Sequence, residues 1–236
     1  MISYAVSYNK YKVLYIYMHS ILRVLEENTP HTSAIVDYIT KNMKGNTFHH
    51  HYHILYTLRT LIEKDVCTYT EVGTFNGGSL CLMLQHESPV KCVSIDPFHL
   101  DRTSIDIVRS NISTFNKYKY SVELTQKFST DPSLISELRN RQFTTDILFI
   151  DGDHSYTAVI NDFNTLHEFV SPGGFIVFDD YHDRVSSPEV KPAVDTIVQR
   201  IKDSNMQYDV IGSPENYHNV YPSDLPFLNE FILRKV

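Results

Sequence analysis

The chain has 236 residues, and its 21 basic side chains (Lys and Arg) face 28 acidic ones (Asp and Glu), giving a formal net charge of −7. This length suits one large domain, or one domain with an extension, and the acidic balance argues against a nucleic-acid partner. No apolar run is long enough for a membrane span, and three cysteines at no metal-like spacing favour a reduced, cytoplasmic protein.

Residues 1–65 predict an N-terminal helical extension. Apolar residues recur there at helical spacing, with interruptions at Thr29-Pro30 and Gly45-Asn46. The expected helices are Lys10–Asn28, Ser33–Lys44 and Tyr52–Lys64. Two interpretations stay open: a lid or wall on the substrate side, and a packing or oligomer contact, of which we favour the second.

The extension contains the histidine-rich tract His49-His50-His51-Tyr52-His53. Its composition resembles that of a metal site. Because the histidines are contiguous, we expect their imidazoles to diverge around a helix start. We therefore interpret the tract as a chance polar run.

Residues 66–236 predict a second, α/β domain. Short apolar runs alternate with longer amphipathic segments, which is typical of an open sheet built from βαβ units. The expected strands are Val66–Val72, Val90–Ile95, Tyr120–Thr125, Asp146–Ile150, Gly174–Phe178, Tyr208–Ile211 and Phe227–Leu233. The expected helices are Ser79–His86, Thr103–Phe115, Asp131–Asn140, Ser155–Val170 and Glu189–Ser204. The prediction is a Rossmann-like, seven-stranded, mostly parallel sheet with one antiparallel strand and helices on both faces.

A glycine-rich loop, Glu71–Ser79, leaves the first strand and opens a helix. Glycines let the backbone turn tightly and approach a ligand closely. Their spacing differs from that of the dinucleotide fingerprint and of the P-loop. Asp96 then ends the next strand, where a carboxylate can accept hydrogen bonds from the hydroxyls of a ribose.

Two further strands end in ionisable groups. Asp151 follows one strand, and Asp179 and Asp180 follow the next. Neighbouring strand ends should bring the three carboxylates together, where like charges repel unless a cation offsets them. Oxygen ligands of this kind suit Mg²⁺ or Mn²⁺ better than zinc.

With these residues in view, the sequence resembles the class I S-adenosylmethionine-dependent methyltransferases. It is most similar to the sugar O-methyltransferases that include the macrocin and rhamnosyl enzymes and the cephalosporin-biosynthesis methyltransferase. The resemblance covers about residues 66–205. The motifs that carry it are Glu71–Ser79, Ile95–Pro97, Ile150–Tyr156, Pro172–Tyr181 and Val190–Asp195.

The resemblance implies a role for each matching position. The donor-binding residues would be Glu71, Gly73, Thr74, Phe75, Asn76, Gly77, Gly78, Ser79, Asp96, Phe98, Ser129 and Asp151. Among these, Asp96 would bind the ribose, with Phe98 and Ser129 near the adenine. Asp151, Asp179 and Asp180 would bind the metal.

The identity of the general base stays open between His154 and Asp153. Catechol-type relatives carry a lysine three residues after the first metal aspartate, and this chain has His154 there. An imidazole can accept a proton near neutral pH, and a metal can lower the pKa of an acceptor hydroxyl. Tyr181 and His182 are weaker candidates on the acceptor side.

The predicted function is transfer of a methyl group to a sugar hydroxyl, for example on rhamnose, free or in a glycan. A catechol or acyl-CoA-phenol methyltransferase is the nearest alternative. The glycine spacing disfavours a nicotinamide dehydrogenase, and the charge balance disfavours a nucleic-acid methyltransferase. A non-catalytic interaction module is a further alternative. Oligomeric state, and membership of a larger glycan-building enzyme, stay open.

Overall fold

A computed structural model describes residues 2–99, 104–204, 206–214 and 228–236 of the chain, with side chains from residue 17 onward. The helices are α1 (Ile2–Asn42), α2 (Tyr52–Leu61), α3 (Gly78–Met83), α4 (Ile105–Phe115), α5 (Pro132–Asn140), α6 (Tyr156–Leu166) and α7 (Val190–Asp203). The strands are β1 (Cys67–Val72), β2 (Val90–Ile95), β3 (Val122–Thr125), β4 (Thr145–Ile150), β5 (Val170–Phe178), β6 (Tyr208–Gly212) and β7 (Phe231–Lys235). A short 3₁₀ turn, His167–Phe169, links α6 to β5.

The seven strands form one sheet in the order β3-β2-β1-β4-β5-β7-β6. The first five strands are parallel, and β7 runs antiparallel to both β5 and β6. This confirms the predicted Rossmann-like sheet. The strand order reverses between β1 and β4, and open α/β sheets bind ligands beyond the carboxyl ends of the strands at such a point.

Strand β4 shows how the sheet divides the interior into two cores. All six of its residues are buried, because helices cover both faces. Ile147 and Phe149 pack into the core with α1, α2, α3 and α4, whereas Leu148 and Ile150 pack into the core with α5, α6 and α7. The alternation follows from the two-residue period of a strand.

The N-terminal helices differ from the prediction. Instead of a break at Thr29-Pro30, one helix runs from Ile2 to Asn42 with Pro30 inside it. An interior proline costs a helix about 3 kcal/mol, but Leu25 and Ile39, on either side of it, are both fully buried in the same core. The Thr29 hydroxyl also donates to the Leu25 carbonyl at 2.7 Å. Tertiary packing therefore overrides the local signal.

Other boundaries shift by a few residues. Helix α3 ends at Met83, short of the predicted His86, and β5 begins at Val170, ahead of the predicted Gly174. The last strand begins at Phe231, and the predicted starts Phe227 and Thr103 lie outside the described residues. The division at residue 65 stays a prediction, although α1 and α2 share a core with β1. In the described part of the chain, no helix has both the length and the apolar character of a membrane span.

Candidate active site

The glycine loop is held against the loop that follows β4. Gly73 has φ +83°, and a Cβ there would lie 2.0 Å from the Asp151 carbonyl oxygen. The Asp151 N–H in turn donates to the Val72 carbonyl at 2.9 Å. The backbones after β1 and β4 therefore touch, and Gly73 is required by this contact as well as by its left-handed backbone.

A segment of the extension, residues 44–52, lies on the glycine loop, and we call it the strap. A Cβ on Gly78 would lie 1.9 Å from Thr47 Oγ1 and 2.0 Å from the Tyr52 hydroxyl. Asn76 Nδ2 donates to the Asn46 carbonyl at 3.0 Å. The strap therefore packs directly on the glycine loop.

Glu71 is fully buried at the end of β1. Its Oε2 accepts hydrogen bonds from the Tyr69 hydroxyl at 2.8 Å and from the Ser79 hydroxyl at 2.7 Å. Its Oε1 is buried and has no hydrogen-bond partner among the described residues. Burial raises the pKa of this carboxyl from 4.5 to about 7. The open oxygen is thus suited to a cationic group.

Asp96 organises the backbone around it. One oxygen accepts hydrogen bonds from the N–H groups of Thr74 at 2.8 Å and Phe75 at 3.2 Å. The other oxygen accepts from the N–H of Phe98 at 2.6 Å. Phe75 and Phe98 have positive φ angles of 49° and 50°. Asp96 therefore links the glycine loop to the end of β2.

Ser129 donates its hydroxyl to Asp162 on α6. Burial raises the pKa of Asp162 to about 6, and the hydrogen bond from Ser129 opposes that rise. Asp162 Oδ2 would lie 3.6 Å from a Cβ on Gly152, so this pair borders the loop after β4. The sequence interpretation named Ser129 but missed its partner.

Three predicted aspartates meet at the carboxyl ends of β4 and β5. The Asp179 N–H donates to the Ile150 carbonyl at 3.1 Å, which aligns the two strand ends. Burial and the charge of Asp179 raise the pKa of Asp151 well above its usual range. We call the aspartates Asp151, Asp179 and Asp180, with the histidines in contact with them, the acidic cluster.

His154 bridges two of these aspartates. Its Nε2 lies 3.1 Å from Asp151 Oδ1, and its Nδ1 lies 3.2 Å from Asp180 Oδ2. Burial opposes protonation of the ring, but hydrogen bonding to Asp151 and the surrounding carboxylates raise its pKa to about 9. The other predicted base, Asp153, accepts a hydrogen bond from the N–H of Ser155, the N-cap residue of α6, at 2.9 Å.

The interpretation of the histidine tract as a chance polar run is wrong for two of its members. His50 Nε2 lies 3.1 Å from each carboxylate oxygen of Asp179 and 3.4 Å from Asp180 Oδ1. His51 Nδ1 lies 3.4 Å from Asp179 Oδ2. The two imidazoles converge on Asp179, because the bend of the strap before α2 places both over the end of β5.

These histidines determine the charge state of the cluster. Burial opposes ionisation of Asp179, but His51 and His50 hold its pKa well below the usual range. Burial likewise opposes protonation of His50, whereas hydrogen bonds to Asp179 and Asp180 raise its pKa to about 11. Burial lowers the pKa of His51, so the cationic imidazole that offsets carboxylate charge in this arrangement is that of His50.

Three other residues were missed by the sequence interpretation. Ser187 donates to Asp180 Oδ2 at 2.6 Å, and Asn229 Nδ2 donates to Asp180 Oδ1 at 2.9 Å. Glu230 is fully buried, and burial with the charge of Asp179 raises its pKa well above the usual range.

The weaker acceptor-side candidates bond to groups outside the acidic cluster. The Tyr181 hydroxyl donates to Asp195 on α7 at 2.8 Å. His182 Nε2 lies 2.7 Å from the Ser213 hydroxyl. A cavity of about 440 Å³ near Lys64, Asp146 and Arg234 lies at the amino ends of β4 and β5, opposite the end where such sheets bind ligands.

Comparison with known proteins gives the following matches. Residues 70–181 match a family model described as a methyltransferase domain. Uncharacterized protein R132 of Acanthamoeba polyphaga mimivirus is 42% identical over 206 residues, which cover 84% of this chain and 93% of the viral protein. The O-methyltransferase from Bacillus cereus in complex with SAH has TM-score 0.58 and 18% identity, covering 91% of this chain and 90% of that one. The MycE methyltransferase from the mycinamycin biosynthetic pathway, in complex with Mg and SAH, has TM-score 0.50 and 16% identity. The match covers 78% of this chain and 48% of the MycE chain.

Proposed function

We propose that this chain, which belongs to one family with the mimivirus protein and matches a methyltransferase-domain model over residues 70–181, is a class I S-adenosylmethionine-dependent methyltransferase that methylates a sugar hydroxyl with the help of a divalent metal ion. The observation that carries the proposal is the position of His154. It lies between Asp151 and Asp180, and the backbone of Asp151 touches the glycine loop. Donor loop, candidate base and acidic cluster therefore share one end of the sheet.

The donor side consists of the glycine loop and Asp96. S-adenosylmethionine supplies a methyl group on a sulfonium, which is reactive towards an aligned oxygen. Glu71 Oε1, buried without a partner among the described residues, is suited to accept from the ammonium of the donor. Asp96, at the end of β2, has acceptor capacity left for one ribose hydroxyl, since a carboxylate offers about four lone-pair sites and three backbone N–H groups already donate to it.

The residues of the acidic cluster fit a divalent cation. Asp151, Asp179 and Asp180 would hold it, and it would lower the pKa of an acceptor hydroxyl. Two features of the structure support this fit. The ring nitrogens of His51 are buried and have no hydrogen-bond partner among the described residues, and the same is true of the carboxylate oxygens of Glu230. Mg²⁺ and Mn²⁺ both accept such oxygen ligands.

His154 is the better of the two candidate bases. Its pKa of about 9 means that it keeps its proton at neutral pH as long as no metal ion offsets the negative charge of the carboxylates around it. It can accept a proton only when that negative charge is offset. Ser187, 2.7 Å from Nδ1, orients the ring. Asp153 is exposed and bonds to the Ser155 N–H, whereas His154 contacts two aspartates of the acidic cluster, so Asp153 is the second choice.

The Asp151-Gly152-Asp153-His154-Ser155-Tyr156 string and the histidine at the base position favour a sugar over a catechol. The test is transfer of labelled methyl from S-adenosylmethionine to a panel of rhamnosides and catechols, with Mg²⁺ or Mn²⁺ and with excess EDTA.

We expect labelled methyl to be transferred to the sugar, and we expect excess EDTA to abolish this transfer. If only the catechol is labelled, the acceptor is a phenol and not a sugar. If transfer continues in EDTA, the reaction does not need a metal ion, and the proton is accepted by His154 or Asp153 without one. A chain that binds no donor would support a non-catalytic module.

A further inference from the structure

We propose that His50, His51 and Asp179 form a binding site for an imidazole-accepting transition-metal ion, such as Zn²⁺, Fe²⁺ or Co²⁺, that fastens the strap to the end of β5. The inference deepens the proposed function, since it shares Asp179 with the proposed carboxylate site. It differs in its ligands, two of which come from the extension, and in the class of metal that those ligands select.

The spacing of the atoms supports a common ion. One ligating atom from each of the three residues lies within 4.8 Å of the others. His50 Nε2 is 3.1 Å from both Asp179 oxygens, and His51 Nδ1 is 3.4 Å from Oδ2. Around an ion with bonds of about 2.1 Å, adjacent ligand atoms lie about 3.0–3.4 Å apart. The imidazole–carboxylate separations are those of adjacent metal ligands.

An independent observation is the state of His51. The residue is 4% exposed, and neither ring nitrogen has a hydrogen-bond partner among the described residues. Buried polar groups are nearly always paired, and leaving one unpaired costs about 1–3 kcal/mol. Coordination through Nδ1, the atom that faces Asp179, would satisfy one of the two.

Glu230 adds a second buried group of the same kind. Its side chain is fully buried, and neither carboxylate oxygen has a hydrogen-bond partner among the described residues. It interacts electrostatically with Asp179 and His50. A cation held by those two residues would stabilise the ionised form of this buried carboxyl, which burial and Asp179 otherwise disfavour.

The ligand types set the class of metal. Imidazole suits zinc, iron, copper and nickel, whereas carboxylate and water suit Mg²⁺, Ca²⁺ and Mn²⁺. A site with two imidazoles and one carboxylate therefore favours an ion that accepts nitrogen over Mg²⁺. The same ion would join the strap to β5, and through Asn46 and Thr47 the strap contacts the glycine loop.

The test is a titration of the full chain with Co²⁺, whose visible absorption bands report nitrogen ligands. The variants are His50→Ala and His51→Ala, and the matched control is His49→Ala, the exposed neighbour in the same tract. We expect one Co²⁺ per chain, at least tenfold weaker binding in both variants, and no change in the control. Zn²⁺ should displace the ion at far lower concentration than Mg²⁺.

Three results would overturn the proposal: no Co²⁺ bound by the wild type, unchanged affinity in both variants, or equal displacement by Mg²⁺ and Zn²⁺. Circular dichroism checks folding, and if an alanine variant unfolds, His51→Gln replaces it. Spin-echo spectroscopy of bound Mn²⁺ in the wild type should then show coupling to imidazole nitrogen. Since the titration needs neither donor nor acceptor, its failure is distinguishable from a failure of methyl transfer.

Discussion

The Nε2 atom of His50 lies 3.1 Å from both carboxylate oxygens of Asp179, although 129 residues separate the two in the chain. This contact joins the N-terminal extension to the strand end that carries the acidic cluster. Through the strap, the same extension contacts Gly78 of the glycine loop. Residues from both ends of the sequence therefore build one site.

Replacement of Glu71 by glutamine should raise the stability of the free protein. Burial raises the pKa from 4.5 to about 7, so the folded state favours the protonated acid. The stabilisation from this protonation is complete below the unfolded pKa and lost as pH rises through about 7. Ionised Glu71 thus costs up to about 3 kcal/mol. Urea unfolding should show Glu71→Gln more stable at about pH 8 and equal to wild type at about pH 4.

The same substitution should weaken donor binding, because the ammonium of the donor loses its carboxylate. Calorimetry should show wild-type affinity rising with pH through about 7, as Glu71 ionises, and no such rise in Glu71→Gln. The control is Glu87→Gln, an exposed carboxylate beyond α3, which should bind donor as the wild type does. Equal affinity in Glu71→Gln and wild type would remove Glu71 from the donor site.

Replacement of His154 by glutamine should lower turnover much more than donor affinity. Loss of a general base typically costs about a hundredfold or more in rate. Steady-state kinetics and donor titration measure the two effects separately. The control is His167→Gln, whose ring stacks on Phe163 at 4.8 Å at the opposite end of the sheet. Parallel losses of turnover and affinity would indicate a structural histidine.

Replacement of Asp162 by asparagine should stabilise the protein at neutral pH. Burial raises the pKa from 3.8 to about 6, so ionisation above that pH costs about 3 kcal/mol. Asparagine still accepts from Ser129 but carries no charge. The gain should appear at about pH 7 and vanish at about pH 4. A stability difference between Asp162→Asn and wild type that does not change with pH would contradict this explanation. Ser129→Ala should raise the pKa of Asp162 further, so the pH at which the gain appears should be higher.

Replacement of Pro30 by alanine should stabilise α1. The residue is exposed inside a continuous helix, where proline lacks an N–H and clashes with the preceding turn. Denaturant unfolding should show a gain of about 1–3 kcal/mol. Glu27→Ala, another exposed position on α1, should change stability by less than about 0.5 kcal/mol. A loss of stability in Pro30→Ala would mean that the proline fixes a needed bend.

The sequence predicted the sheet well because its strands are continuous apolar runs. The predicted bounds of β2 agree with the structure, and those of β1 and β4 differ by one residue, since strands covered on both faces carry a strong signal. The break predicted at Pro30 was wrong because a local rule was applied where distant packing decides. A buried apolar face on both sides of the proline compensates for the lost hydrogen bond.

The candidate site was predictable only where strand order determines it. Neighbouring parallel strands place Asp151 beside Asp179 and Asp180, as expected from their positions after β4 and β5. His50, Ser187 and Glu230 come from loops whose path depends on the whole fold. Their polar residue types gave no signal of mutual contact, because a single sequence does not show which distant residues meet.

The most direct test is a crystal structure with SAH and Mn²⁺, with anomalous scattering used to locate the metal. The account predicts SAH on the glycine loop, with its ammonium at Glu71 and its ribose at Asp96. It also predicts an anomalous peak at Asp179, within reach of His154. SAH bound at the opposite end of the sheet, near Arg234, or no metal at Asp179, would contradict it.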